Sequence, residues 1–382
     1  MGFNYLKCWM CLCLLAVSSL IASAGNEPLS ATELKDYEER SKKGEPAAQY
    51  ALGIHNLQAE LVNGRFVQRD LKLAIQLLNS SANQGYVDAQ VKLAYIYSSD
   101  FWGLKDLGIS IKWSKAAAAK GNAEAMYQLG DFLYEGKGVN QDYAEAVLWF
   151  KRGAEAGDRA AQRRLSSCYE AGFGVEKDEA KAFYWLKAAA DNGHFSAKTD
   201  VADCYYDGKW VTRDYGKAFS WYLKASDGWN RYAKRRVGLC YYEGEGVAKD
   251  YVEAYAWFRK SYDDGKALGG PDASTLFLLG MCYHLGHGVS KDYSQALFWY
   301  RQAAAAGHVS AKRNIGYCYE DGQGVARDDV EAYAWLNLAA GTDDTARDSL
   351  NKLEKRLSRE EIASAQARTK MLVKELESKP SK

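Results

Sequence analysis

Seven tryptophans recur along this chain at almost constant distance. Trp113, Trp149, Trp185, Trp221, Trp257, Trp299 and Trp335 are separated by 36, 36, 36, 36, 42 and 36 residues. Leu77 holds the same place one period earlier. The aspartates Asp70, Asp106, Asp142, Asp178, Asp214, Asp250, Asp292 and Asp328 keep step with them, and so do the glycines Gly85, Gly121, Gly157, Gly193, Gly265 and Gly307. Three residue types in one register define a repeat of 36 residues, and a period of that length belongs to an array of small supersecondary units.

The stretch from Gly121 to Gly157 shows what one unit is. Ala125, Leu129, Phe132 and Leu133 stand at i, i+4, i+7 and i+8, one apolar stripe on a first helix. Gly136-Lys137-Gly138-Val139 ends that helix, since glycine accepts the left-handed backbone of a C-terminal cap. Asp142 caps the start of a second helix, and Glu145 three residues on completes a capping-box pattern that recurs as Asp250/Glu253 and Asp328/Glu331. Ala146, Trp149, Phe150 and Ala154 form the second stripe. One such helix pair cannot bury both of its faces, so neighbouring units must stack into a solenoid with contacts between adjacent units. The fold class expected is all-α, an α/α superhelical solenoid of about eight helix-turn-helix repeats.

The pattern Ala, Leu-Gly, Tyr, Gly-x-Gly-Val, then Asp-Tyr, Ala, Trp-Tyr/Phe and Ala-Ala-x-x-Gly resembles the Sel-1-like repeat family, a relative of the tetratricopeptide repeats. Gly316-Tyr317-Cys318-Tyr319 through Gly322-Gln323-Gly324-Val325 carries the likeness, as does Ala296-Leu297-Phe298-Trp299-Tyr300. The resemblance implies a right-handed superhelix whose first helices line a concave surface, and an adaptor role in signalling or assembly, in bacteria often in the envelope. It also implies an alternative, because the cysteine-rich helicobacter branch is linked to β-lactam binding or hydrolysis. Four departures break the pattern. The first unit is longer by five residues between Leu52 and Asp70. The second carries Asp100-Phe101-Trp102 in place of Gly-x-Gly. Trp229 replaces a boundary glycine, and six residues are added near Lys266-Ala267-Leu268-Gly269-Gly270-Pro271.

The ends differ from the middle. Lys7, the apolar stretch Cys8 to Ile21 and the small residues Ala22-Ser23-Ala24 read as a cleaved export signal over residues 1–24, too short for a comfortable membrane span. Residues 25–43 supply an N-terminal capping helix, residues 44–343 the solenoid, and residues 344–382 one or two C-terminal capping helices and a tail. Ser358 with Glu361 offers a capping box there. A periplasmic or secreted location follows, with no stable membrane span after cleavage. The 50 basic and 49 acidic side chains balance, so no net charge recruits nucleic acid.

Most candidate chemistry reduces to architecture. Cys168, Cys204, Cys240, Cys282 and Cys318 share one position on the apolar side of the first helix. Equivalent Cα atoms in stacked helices lie roughly 8–10 Å apart, whereas a disulfide needs them within about 7 Å. Buried thiols are therefore expected rather than a disulfide ladder. His284 and His287 have His-x-x-His spacing, but Gly286 and Gly288 place them in an exposed turn without further ligands, so no metal is expected. The recurrent Gly-x-Gly is a turn and not a phosphate loop. Ser349-Leu350-Asn351-Lys352 matches Ser-x-x-Lys, but the companion lactamase motifs are missing. No catalytic residue and no cofactor is expected. The repeated tryptophans suit the core, and the off-register Trp102, Trp210 and Trp229 are better placed for exposed contact.

The first helices carry one feature that architecture does not demand. Arg163 and Arg164, Lys198, Lys234, Arg235 and Arg236, and Lys312 and Arg313 flank the core alanine in units four, five, six and eight. Leu276 and Phe277 take the equivalent places in unit seven and offer apolar anchors. Glu170, Asp207, Glu243 and Glu320 lie near enough in sequence to neutralise this stripe into a solvated face. Left unneutralised, it would bind an acidic peptide or anionic polymer in a salt-sensitive way. The sequence thus points to a scaffold for a protein or peptide partner, not to an enzyme.

Overall fold

The computed structural model describes residues 29–57, 59–62, 65–68, 70–267 and 269–378. The export signal expected over residues 1–24 lies outside the described residues. The chain divides into two compact units, residues 1–185 and 186–382. Nineteen α-helices run through the described residues, sixteen of them in eight pairs that follow the repeat.

The first unit opens with α1 (Ala31–Lys42), capped by Ser30 and Glu33 in a complete capping box. Three helix pairs follow: α2 (Pro46–Leu57) with α3 (Leu71–Asn83), α4 (Val87–Ser98) with α5 (Leu107–Ala119), and α6 (Ala123–Glu135) with α7 (Tyr143–Glu155). Then come α8 (Arg159–Ala171) and the start of α9 (Glu179–Asp191). The extra residues of the first repeat are not helical. They form an antiparallel hairpin of β1 (Ala59–Val62) and β2 (Arg65–Gln68), with Ala59 opposite Gln68 and Val62 opposite Arg65. These two strands are an addition to the all-α fold expected from the repeat. The Asp100–Trp102 segment is a short 3-10 turn closed by Gly103 in the left-handed region.

The second unit continues with α10 (Phe195–Asp207) and α11 (Tyr215–Ala225), then α12 (Arg231–Glu243) and α13 (Tyr251–Ala267). The pairs α14 (Ala273–Leu285) with α15 (Tyr293–Ala305) and α16 (Val309–Asp321) with α17 (Asp329–Ala340) complete the array. Part of the six-residue insertion lengthens α13 to 17 residues. Two further helices, α18 (Asp344–Glu354) and α19 (Arg359–Ser378), close the end. Ser358 and Glu361 exchange backbone and side-chain bonds at the start of α19. Leu372 of α19 joins the core cluster of Trp299 and Trp335, so the last helix covers apolar surface that a further repeat would otherwise bury.

Each pair is held by small residues meeting rings. Ala125, Ala146, Ala233, Ala254, Ala296 and Ala311 have no exposure at all. A methyl added to Gly130 would lie 2.6 Å from the Phe150 ring, so only a bare Cα lets α6 and α7 approach this closely. Successive pairs are joined through the turns. The second glycine of Gly-x-Gly rests on the backbone of the preceding second helix: a Cβ on Gly288 would fall 2.1 Å from the Tyr251 carbonyl oxygen. The same contact in the first unit sets Gly174 against Tyr143. The repeated glycine is thus both turn and inter-repeat joint.

The repeated aspartates cap the second helices. Asp70, Asp106, Asp142, Asp214, Asp292 and Asp328 each accept the N–H three residues on, at 2.9–3.0 Å. The reciprocal glutamate bonds expected from the sequence are diverted elsewhere. Glu145 instead accepts from Trp149 Nε1 (3.3 Å), and Glu331 pairs with Arg368 of α19 (2.5 Å).

Candidate functional site

The basic residues of the first helices fall into a register that the ion pairs follow. Two reach forward. Arg235 lies 3.5 Å from Asp272, the N-cap of α14, and Arg313 lies 2.6 Å from Asp343, the N-cap of α18. One position later in the repeat, side chains reach back to the preceding first helix. Arg164 bonds Asp131 at 2.7 Å and Glu135 at 3.4 Å, and lies over the Tyr134 ring. Arg236 stacks on Tyr206 at 4.0 Å and donates to the Tyr222 hydroxyl at 3.0 Å. That hydroxyl in turn donates to Asp203, which also accepts from Tyr232 at 3.0 Å. Burial pushes the Asp203 carboxyl up, against the pull of these two phenols and Arg236.

The remaining members of the stripe vary. Lys234 pairs with Asp264 in a site where both side chains are 14% exposed. Arg163 donates to Ser167 at 2.7 Å. Lys198 and Lys312 are half-buried. Much of the basic stripe is therefore a ladder of ties between neighbouring repeats. The carboxylates seen holding it are Asp131, Glu135, Asp264, Asp272 and Asp343, while Glu320 serves Arg356 at 2.8 Å.

Leu276 requires a correction. It is 5% exposed within the core of the second unit, so it offers no anchor to a peptide. Phe277 is half-buried, stacked on His308 at 4.3 Å and tilted against Tyr300 at 5.8 Å. Gln49, Gln90 and Gln162, which hold the place equivalent to Leu276 in three other repeats, are buried as well, so this position faces inward there too.

The off-register tryptophans separate. Trp229 is 61% exposed. Trp102 packs against the core cluster of Leu93 and Trp113, contrary to the expectation of exposed contact. Trp210 replaces the second glycine of its turn and adopts φ +64°, a left-handed conformation that costs a side chain energy. The Lys209 ammonium sits 4.3 Å above its ring. Of the register tryptophans, Trp113, Trp221, Trp299 and Trp335 are buried, while Trp149, Trp185 and Trp257 are partly covered.

The other candidates have defined places. Cys168, Cys204, Cys240, Cys282 and Cys318 are free thiols in the core. Burial pushes Cys168, Cys240 and Cys318 up to about 11 and Cys282 up to about 12. His287 is stacked on Tyr251 at 3.9 Å and bonded to the Tyr242 hydroxyl at 2.9 Å. His284 is half-buried between Tyr293 and Tyr300, so neither histidine is the exposed turn residue the sequence suggested. Ser349 Oγ bonds the Thr345 carbonyl and the Tyr317 hydroxyl, each at 3.0 Å. Among the described residues there is no group of three potential metal-ligating side chains, and no helix long and apolar enough to cross a membrane.

Sequence reasoning missed one feature. In the first unit, a cavity of about 450 Å³ opens between α4 and α6, beside the 3-10 turn that replaces Gly-x-Gly. Tyr95, Tyr127, Gln128, Asp131, Lys105 and Lys137 line it. The only signal in the sequence was the broken turn.

A family model described as Sel1 repeat matches residues 46–86, 87–122, 123–158, 159–194, 196–228, 231–266, 273–308 and 309–341. No curated relative matches the chain. Among solved structures, the chain is similar to a protective antigen of uropathogenic Escherichia coli strains displaying an SLR fold. The two share 24% identity over 89% of this chain and 94% of that one, with a TM-score of 0.54. It is also similar to a repeat protein from Oxalobacter formigenes, with 26% identity over 84% of this chain and 89% of that one, again at a TM-score of 0.54.

Proposed function

Since the chain belongs to the Sel1 repeat family, whose members generally serve as protein-interaction scaffolds, we propose that it is an exported scaffold that binds a partner protein along its first helices. One observation carries this reading. The periodic residues are consumed by the fold: alanines and glycines by helix approach, aspartates by capping, cysteines and most tryptophans by the core. The partly exposed side of the first helices varies from repeat to repeat, and variation of this kind is what recognition of one particular partner requires.

The internal pairing of the basic stripe refines the reading. Arg164, Arg235, Arg236 and Arg313 already hold neighbouring repeats together and Lys234 is paired within its own, so the partner is not recognised by a continuous row of free cations. Export rests on Lys7, the apolar stretch Cys8–Ile21 and Ala22-Ser23-Ala24.

The test is affinity capture from an envelope extract with the immobilised mature chain, at low and at raised salt. A protein partner retained by the intact chain and lost on substitution of exposed first-helix residues supports the reading. Recovery of no partner, together with cephalosporin turnover abolished by Ser349→Ala, overturns it. Export is checked by the N-terminal residue of the extracytoplasmic protein, expected to be Gly25.

A further inference from the structure

The cavity between α4 and α6 sits where the repeat abandons its rule. At Gly138, Gly174, Gly246, Gly288 and Gly324 the Gly-x-Gly turn presses on the preceding second helix. Here Asp100-Phe101-Trp102 turns differently, and the chain leaves a cavity of about 450 Å³. That volume lies within the roughly 300–1,000 Å³ of sites that enclose small ligands or short segments.

Its polar groups are mostly donors. Lys105 and Lys137 bring two ammonium groups to the lining. Lys105 is paired at 2.9 Å with Asp100, whose side chain is 79% exposed. Lys137 lies 3.8 Å from Glu135. Exposed pairs of this kind contribute about 0–1 kcal/mol, so either lysine can exchange its partner at little cost. Gln128 accepts from Ser114 through Oε1 (3.3 Å), which leaves its NH2 as a donor. The one carboxylate in the lining, Asp131, is already held by Arg164 at 2.7 Å. Tyr95 and Tyr127 add phenols and ring faces, and Leu107 and Phe132 add apolar wall.

We propose that this cavity is the receptor for an acidic side chain of the partner, a glutamate or aspartate in an extended segment whose apolar neighbours lie against Tyr95 and Leu107. The inference rests on the scaffold reading and specifies the chemistry of the partner. The carboxylate would replace Asp100 and Glu135 as acceptor for the two lysines, while Asp131 stays neutralised by Arg164. A neutral amide of the same shape cannot make charge-assisted bonds to both ammonium groups.

The test is calorimetric titration of the mature chain with a blocked pentapeptide, two glutamates flanking a leucine, and with its glutamine counterpart. The acidic peptide is expected to bind at least tenfold more tightly. Lys105→Gln and Lys137→Gln should each weaken it by about ten- to hundredfold, the loss of one charged hydrogen bond. Both lysines are well exposed, at 44% and 58%, so unchanged circular dichroism confirms that the variants remain folded. Equal affinity for the two peptides, indifference to both substitutions, or equal competition by inorganic phosphate overturns the proposal. Photo-crosslinking of a partner elsewhere on the first helices separates the two ideas. Crosslinks there without peptide binding refute the cavity alone, whereas peptide binding without any protein partner refutes the scaffold alone.

Discussion

Replacing Gly288 and Gly307 by alanine isolates the joint between repeats. Both glycines have left-handed backbones, with φ of +75° and +90°. Gly307 has no atom within 4 Å of the position a Cβ would take, so Gly307→Ala measures the backbone penalty alone, about 1–2 kcal/mol. Gly288→Ala incurs that penalty and a collision: its Cβ would stand 2.1 Å from the Tyr251 oxygen and 3.0 Å from Tyr255 Cβ. The turn must retreat from the start of α13, and overpacking of this kind adds about 1–3 kcal/mol. Urea unfolding followed by far-UV circular dichroism gives the totals. Because an array can open repeat by repeat, amide exchange in α13 and α14 locates the damage. The account requires a larger loss for Gly288→Ala, centred on the joint between α13 and the Gly286–Gly288 turn. Equal losses in the two variants would refute the view that the second glycine exists for inter-repeat contact.

Other perturbations probe the buried groups. His308 caps α16 through Nδ1 (3.3 Å to the Ala311 N–H), and burial holds its pKa below the usual 6.5, reinforced by Arg235 and Arg313 against Asp272. Burial also lowers His284. A histidine depressed in the folded state contributes stability above pH about 6.5 and loses it as pH falls through its folded value. The urea midpoint should therefore drop from pH 7.5 to pH 5, and His308→Asn, which keeps a capping acceptor, should flatten part of that slope. Asp264→Ala leaves Lys234, at 14% side-chain exposure, bonded to the Gly228 carbonyl (2.8 Å) without its counter-charge and should cost about 1–3 kcal/mol, against less than about 1 kcal/mol for Lys105→Gln. With the leader removed, a thiol reagent at pH 8 should find no reactive group in the native chain and five after unfolding without reductant, matching the five buried free cysteines. Fewer than five would mean that some are bridged.

The periodic part of this molecule is legible in sequence because stacking imposes the same constraint on every repeat. Trp299, Asp292, Cys282 and Gly288 recur because each meets the same neighbour each time. The basic stripe was visible as residues but not as contacts. Its acceptors, Asp131, Asp272 and Asp343, lie about thirty or more residues away, and two of them are N-caps whose first duty is to a helix start. Sequence proximity therefore does not find these acceptors. Leu276 was misplaced for a related reason. The stripe of α14 is apolar nearly all round, so pattern alone does not say which side is inward. The hairpin at Ala59–Gln68 and the cavity beside Asp100–Trp102 both lie where the period breaks. There the repeat can show only that something differs.

If the first helices carry the function, positional photo-crosslinking finds the partner on them. A photoreactive residue would be placed at Tyr95, on the first helix α4, and in a separate protein at Tyr184, on the second helix α9. Their side chains are exposed by 37% and 64%. The account predicts a specific protein adduct in the native compartment from position 95 and none from position 184, although the latter is the more exposed. Adducts from position 184 alone would contradict a first-helix site.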